Sequence, residues 1–274
     1  MNFLFWNINQ IEDTSINLNI AKLINETNSE FVVLAEYNQN GIDLLKELFN
    51  FGLDFSEIKQ LGCQRISIFS NFHTFYLSHV YDEERYTIKE LKMPNCDPLL
   101  VVLVHLISKL HANDDDQLVS ALKLKEQIEF AEQNANHKNT IVIGDFNMNP
   151  FDKGMVSVVG MNSLPCLKTA KKSKARRKFQ RKEYSFFYNP MWNLFGDFNG
   201  APGTYFHSNP PSLSLYWNIL DQVLIRPGIA NNFENKSLKV VEKIGSSSLV
   251  DKRNRPLLSD HLPIFFSMTI PGSK

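Results

Sequence analysis

Short apolar runs that stop on one polar residue constrain this chain most. FLFWN (3–7), FVVLAE (31–36), LLVVLVH (99–105) and TIVIGD (140–145) read as strands and close on Asn7, Glu36, His105 and Asp145. Asp221 lies inside a fifth run, NILDQVLI (218–225), and Ser259-Asp260-His261 stands immediately before LPIFF (262–266). Any one of these is a solvated strand end. Together they bring acids, amides and imidazoles to the ends of apolar strands, where half-buried carboxylates need partners.

Helical periodicity fills the gaps at INLNIAKLIN (16–25), IDLLKELF (42–49) and DDDQLVSALKLKEQIEFAEQ (114–133), the last opened by three acids that complement its dipole. RISIFS (65–70), HTFYLSHV (73–80), RYTIKEL (85–91) and LLVVLVHL (99–106) follow one another without long helices, which predicts an antiparallel meander. LPIFFSMTI (262–270) is a late strand, and 161–217 reads as irregular, basic and aromatic-rich. Helices after the first strands of each half predict two packed sheets flanked by helices. No linker divides the chain, and 43% hydrophobic residues with 21 Phe supply a core for one domain over 1–274.

The start, MNFLFWNINQ, has neither a basic n-region nor a cleavage site, and no apolar run approaches the roughly 20 residues of a membrane span. Cys63, Cys96 and Cys166 are odd in number and widely spaced. The expectation is a soluble cytoplasmic protein without membrane insertion.

The tetrapeptide GDFN occurs twice, at 144–147 and 196–199. The first follows the β-branched run Ile141-Val142-Ile143, with Gly144 expected to turn the chain so that Asp145 and Asn147 emerge at a rigid strand end, before a helix from Phe151. The second lies between loop-forming stretches, where Asp197 reads as a turn residue. The first copy is therefore the candidate. A set of carboxylate and amide oxygens without thiolates suits Mg²⁺, with Mn²⁺ as a substitute, and hence phosphate chemistry. His73, His79, His137 and His207 have no such neighbours and are read as non-catalytic.

The order WN, LAEY, VHL, IVIGDFN, LDQVL, SDHLP resembles the endonuclease/exonuclease/phosphatase family, of DNase I-like fold, across the chain from Asn7 to His261. The resemblance implies a four-layer α/β-sandwich and a metal-dependent phosphodiesterase. It implies Glu36 as a Mg²⁺ ligand, Asn7 supporting the metal and the scissile phosphate, and Asp260 as a further acidic metal position. Asp145 would orient or deprotonate water, Asn147 would contact phosphate, and His261, oriented by Asp221, would bind phosphate or move a proton. His105 matches a second histidine found in some branches. The general base, Asp145 or His261, stays open, as does the number of metals.

Formal charge is zero, yet residues 168–182, KTAKKSKARRKFQRK, hold nine Lys/Arg and no acid. Lys171, Lys172, Lys174, Arg176, Arg177, Lys178 and Arg181, interleaved with Phe179 and Tyr184, suit a nucleic-acid groove and are expected beside the active-site mouth. A nuclease is the leading expectation, with a lipid or small-molecule phosphodiesterase as the alternative and a non-catalytic nucleic-acid-binding protein behind it. Val104-His105-Leu106 stands where the abasic-site branch carries a Pro-Asn stretch, which argues against lesion repair. The sequence says nothing about protein partners.

Overall fold

A computed structural model describes every residue except Phe198, Asn199, Leu213 and Lys274, and the side chain of Ser173. One six-stranded sheet contains β1 (Asn2–Asn7), β2 (Phe31–Ala35), β3 (Ser56–Ile58) and β4 (Ile66–Ser70), together with strands Lys239–Val240 and Ile264–Ser267. A seven-stranded sheet contains β5 (Leu77–Glu83), β6 (Tyr86–Leu91), β7 (Leu99–His105) and β8 (Thr140–Asp145), followed by strands Asp221–Ile225, Phe187–Tyr188 and Ser163–Leu164. Helices α1 (Ser15–Thr27) and α2 (Gly41–Asn50) belong to the first half, and α3 (Asp114–Ala135) to the second.

Strand direction explains where the helices fall. β1 pairs with β2 in parallel, and β7 with β8 in parallel, and a parallel pair needs a crossover, which α1 and α3 provide. β5, β6 and β7 are antiparallel neighbours and need only turns, as their spacing predicted.

The alternation of side chains along each central strand builds the layers. Phe3 and Phe5 of β1 and Val33 of β2 face Val101, Leu103, Ile141 and Ile143 of the other sheet. Leu4, Trp6, Val32 and Leu34 face the opposite way, onto Ile20, Leu23 and Leu44 of α1 and α2. Val102, Val104 and Val142 likewise cover Leu124 and Ile128 of α3. The central strands are therefore apolar on both faces, which is why they read as unbroken runs. The outcome is a four-layer α/β-sandwich, as expected.

Three local readings are corrected. Gly144 does not turn the chain: it lies within β8, paired with Val104 and Gln222. Its φ of +144° and the closeness of the Val104 carbonyl, which a Cβ would overlap, make it the residue that lets β8 lie flat against β7. The turn follows at Asn147, whose φ is +52°. The region 161–217 is also less irregular than it reads. It contributes the edge strand Ser163–Leu164, the adjoining strand Phe187–Tyr188 and the hairpin Arg176–Phe179/Lys182–Ser185, elements too short to show a period. The helix expected from Phe151 is a single turn, Lys153–Val156.

Gly144→Ala should lower the thermal midpoint sharply, because the strained φ and the backbone overlap cannot both relax within a paired strand. Ile143→Ala, which only empties core volume, should cost about 2–5 kcal/mol in urea unfolding with an unchanged m-value.

Candidate active site

The strand register gathers the polar strand ends at one pole. Asn7 aligns with Ala35, the residue before Glu36, while His105 and Asp221 both align with Asp145. Asp145 has no exposed surface, so its carboxylate depends on protein donors. Asn7 Nδ2 donates to its Oδ2 at 3.0 Å, and the Asn147 backbone N–H donates to Oδ1 at 2.7 Å. His105 Nε2 and His261 Nε2 lie 3.9 and 4.0 Å from the same Oδ2.

Glu36 occupies left-handed backbone at φ +51°, a conformation that costs a residue with a Cβ about 1 kcal/mol or more. That geometry delivers its carboxylate to the cluster. His105 Nε2 lies 3.1 Å from Oε1, Asn7 Nδ2 lies 3.5 Å from the same oxygen, and Gln10 Nε2 donates to Oε2 at 3.0 Å. The hydrogen bond from His105 foremost, with Gln10 and Asn7, outweighs partial burial and holds the Glu36 carboxyl at about 2. Asn7 spans the two carboxylates with its amide nitrogen, and its Oδ1 accepts from the Asn9 N–H at 2.9 Å.

His261 is fixed from several sides. Its Nδ1 lies 2.8 Å from Asp221 Oδ2, its N–H donates to Ser259 Oγ, its carbonyl accepts from Trp6 Nε1, and Tyr205 packs on the ring at 4.7 Å. Burial alone would push the imidazolium pKa down, but Asp221, Asp145 and Asp260 override it and raise it well above 6.5. Burial in turn pushes the Asp221 carboxyl above its ordinary range against the pull of His261. Burial, with Asp260 and Asp145, pushes the Tyr205 phenol up to about 12, so it stays neutral.

The donor chemistry can be tested against a divalent cation. Asp145, Asp221 and His261 are the group of acids and imidazole, among the described residues, whose ligand atoms lie within 4.8 Å of one another. One oxygen of Asp221, Oδ1, is buried without a partner. Glu36, ionised and partly exposed beside this group, adds an oxygen donor. The carboxylate oxygens of this set fit a hard cation, while His261, whose charge the acids favour, would not ligate in its protonated form.

In structure comparison nearly the whole chain superposes on solved structures of low sequence identity. An endonuclease/exonuclease/phosphatase family protein from Bacteroides thetaiotaomicron aligns with TM-score 0.56 at 13% identity, covering 97% of this chain and 96% of that one. TDP2 of D. rerio, solved with a single-strand DNA product, aligns with TM-score 0.55 at 14% identity over 98% of each chain. The 3′ phosphatase NExo from Neisseria, bound to a product DNA hairpin, aligns with TM-score 0.54 at 13% identity over 98% of this chain and 99% of that one. This is the endonuclease/exonuclease/phosphatase fold. In sequence, no family model and no curated protein matches the chain.

Within that fold, Asn7, Glu36, His105, Asp145, Asn147, Asp221 and His261 converge as the motifs suggested. Asn147 also donates through Nδ2 to the Leu106 carbonyl at 2.9 Å. Asp260 sits to one side: Ser259 Oγ lies 3.5 Å from its carboxylate, and it lines a cleft with Tyr205, His207 and Arg255. Of the second GDFN, Asp197 is exposed in a turn, and Phe198 and Asn199 lie outside the described residues. The acids 114–116 open α3 behind the Asn113 cap, with Asp116 completing a capping box.

The basic segment is not beside the mouth. Its hairpin joins the seven-stranded sheet near Arg226 and Lys138, next to the Thr140 end of β8, whereas Asp145 ends the same strand. Five residue steps of strand put about 17 Å between these ends. Lys171, Lys172, Lys174, Arg176, Arg177, Lys178 and Arg181 therefore do not line the catalytic cleft. Sequence order misled because 161–217 crosses the sheet to its far end before the chain returns to Asp221.

Several residues at the site carried no sequence signal. Gln10, Thr204, Tyr205 and Arg255 lie outside any motif, and His207, set aside as non-catalytic, shares the cleft of Asp260. The one cue was the short basic stretch 252–255 just upstream of Asp260.

In EDTA, NMR titration of the His261 ring should show it protonated through neutral pH. Asp221→Asn should bring its titration down toward the ordinary 6.5. An unchanged midpoint would mean that Asp221 does not hold the charge.

Proposed function

We propose that this chain is a Mg²⁺-dependent phosphodiesterase acting on nucleic acid, with residues 1–274 as a single catalytic unit. The observation that carries the reading is the buried Asp145 carboxylate, held by Asn7 and Asn147 between Glu36–His105 on one side and the Asp221–His261 pair on the other. The neighbours solved with DNA products support a polynucleotide substrate.

Glu36 would hold the cation, with Asp260 as the further acidic position, and Asn7 orients both carboxylates through its amide nitrogen. Bound there, Mg²⁺ (or Mn²⁺) would neutralise a non-bridging phosphate oxygen and ease departure of the leaving oxygen. Asp145 then orients the attacking water and takes its proton: each of its oxygens receives one hydrogen bond and retains acceptor capacity. The carboxylates of Asp221, Asp145 and Asp260 favour the charged form of His261, which would make it a cationic donor to phosphate and leave the base to Asp145. His105 and Asn147 complete the donor set around the phosphate. Three free cysteines, Cys63, Cys96 and Cys166, support a cytoplasmic setting. Among the described residues no helix is long and apolar enough to cross a membrane.

One observation favours a second reading. The cleft beside the site, about 360 Å³, is lined by Tyr205, His207, Arg255 and Asp260, and the large cationic block lies elsewhere. A small or terminal phosphoester would suit this mouth as well as an internal diester.

Circular and linear, single- and double-stranded DNA and RNA, a 3′-phosphorylated oligonucleotide and a small chromogenic diester should be incubated with Mg²⁺ or EDTA. Polynucleotide cleavage that needs Mg²⁺, survives in Asp197→Ala and falls by about 10²–10⁴-fold in Asp145→Ala supports the nuclease reading. Phosphate release from the terminal ester alone would favour the second. No Mg²⁺-dependent turnover of any substrate would overturn both.

A further inference from the structure

The pole opposite the active centre carries a concentration of positive charge that catalysis does not use. Hairpin strands Arg176–Phe179 and Lys182–Ser185 pair in register, Arg176 with Ser185 and Arg177 with Tyr184, so their side chains sort onto two faces. Arg177, Lys182 and Tyr184 share the face turned to the body, where Arg177 donates to the Val156 carbonyl and Lys125 and Lys182 cover the Tyr184 ring. The other face, with Arg176 and Ser185, closes a cleft of about 220 Å³ against Lys138 at the entry to β8 and Lys174 before the hairpin.

The cations of this cleft are poorly neutralised. Arg176 has Glu183 at 2.8 Å, and Lys174 also acts on that carboxylate from a distance, but Lys138 and Lys174 form no salt bridge among the described residues, and Lys138 donates only to Ser185 Oγ. At its base Arg226 is buried and bound through two nitrogens to Glu132 while lying over Phe187, so the floor is rigid. Burial, with Arg226, Arg177 and Lys182 close by, pushes nearby Lys125 down to about 8 despite Glu129. Lys174 and Ala175 hold left-handed backbone, at φ +56° and +60°, which orders an otherwise exposed loop at an energetic cost.

We propose that this cleft is a second, non-catalytic nucleic-acid site that grips the phosphate backbone through Lys138, Lys174 and Arg176. Three cations from two stretches of the chain, Lys138 and 174–176, converge on a concave surface of phosphate scale, and the rest of the 168–182 run extends the positive track beyond it. A membrane-docking surface would need an apolar tip, and this hairpin offers one exposed aromatic, Phe179, among charges. A strand held here lies about 17 Å or more from Asp145. The site would tether the protein to a polynucleotide while another segment reaches the active centre.

The test is independent of catalysis. Binding of a fluorescein-labelled 30-mer, single-stranded or duplex, is followed by anisotropy in EDTA from 50 to 200 mM salt, using the full chain. Lys138→Glu/Lys174→Glu/Arg176→Glu should weaken binding by about tenfold or more and reduce the log–log salt slope by about two to three. Lys22→Glu/Lys46→Glu/Lys123→Glu, an equal charge change on exposed helix positions, should change affinity by less than about threefold. Turnover of a small diester should be the same in both. Lys138→Gln/Lys174→Gln, confined to exposed side chains, gives the same ordering if the triple variant melts early. Equal losses in the two triple variants, no binding by the unmodified chain, or loss of phosphatidylserine-vesicle binding with oligonucleotide affinity intact would overturn the proposal.

Discussion

A fully buried carboxylate is the constraint on which the rest of this molecule turns. Asp145 has no exposed surface, so its charge is tolerated only if donors reach it from fixed positions. Those donors are carried by both sheets: Asn7 ends a strand of one, while Asn147 follows β8 of the other. The two sheets must pack with their polar strand ends at the same pole. Loss of that alignment would leave an uncompensated charge in the interior.

The apolar layers secure the alignment. The inter-sheet core locks Phe3 and Phe5 against Val101 and Ile143, and the outer helices seal the other faces, so the strand ends have little freedom to drift. Glu36 accepts a left-handed backbone, and Gly144 lets β8 approach β7 closely. Part of the local conformational cost thus falls in the polar cluster or beside it. Rigid strands elsewhere supply the stability that makes this cost tolerable.

Charge follows the same polarity. Acids and imidazoles collect at one pole, where a cation and a phosphate can neutralise one another's surroundings, and the basic run 168–182 lies at the other. A formal net charge of zero conceals this separation. Long-range attraction of a polyanion would act first at the basic pole, and orientation relative to the active centre would follow from it.

The sequence by itself determined the layers and the residue types of the site. Runs such as FVVLAE and TIVIGD are apolar on consecutive residues because both faces of a central strand are buried, and the polar residues that end them were legible as breaks in those runs. What it did not determine was which distant segments share a pole. Thr204, Tyr205, Gln10 and Arg255 join the site through folding of loops that carry no period, and Gly144 serves a neighbouring strand that the sequence does not name. The basic run looked like part of the mouth because it precedes Asp221 in the chain. Only the tertiary structure sends it to the far end of the sheet, because the 187–188 strand pairs with the Ile225 end of the 221–225 strand and not with its Asp221 end.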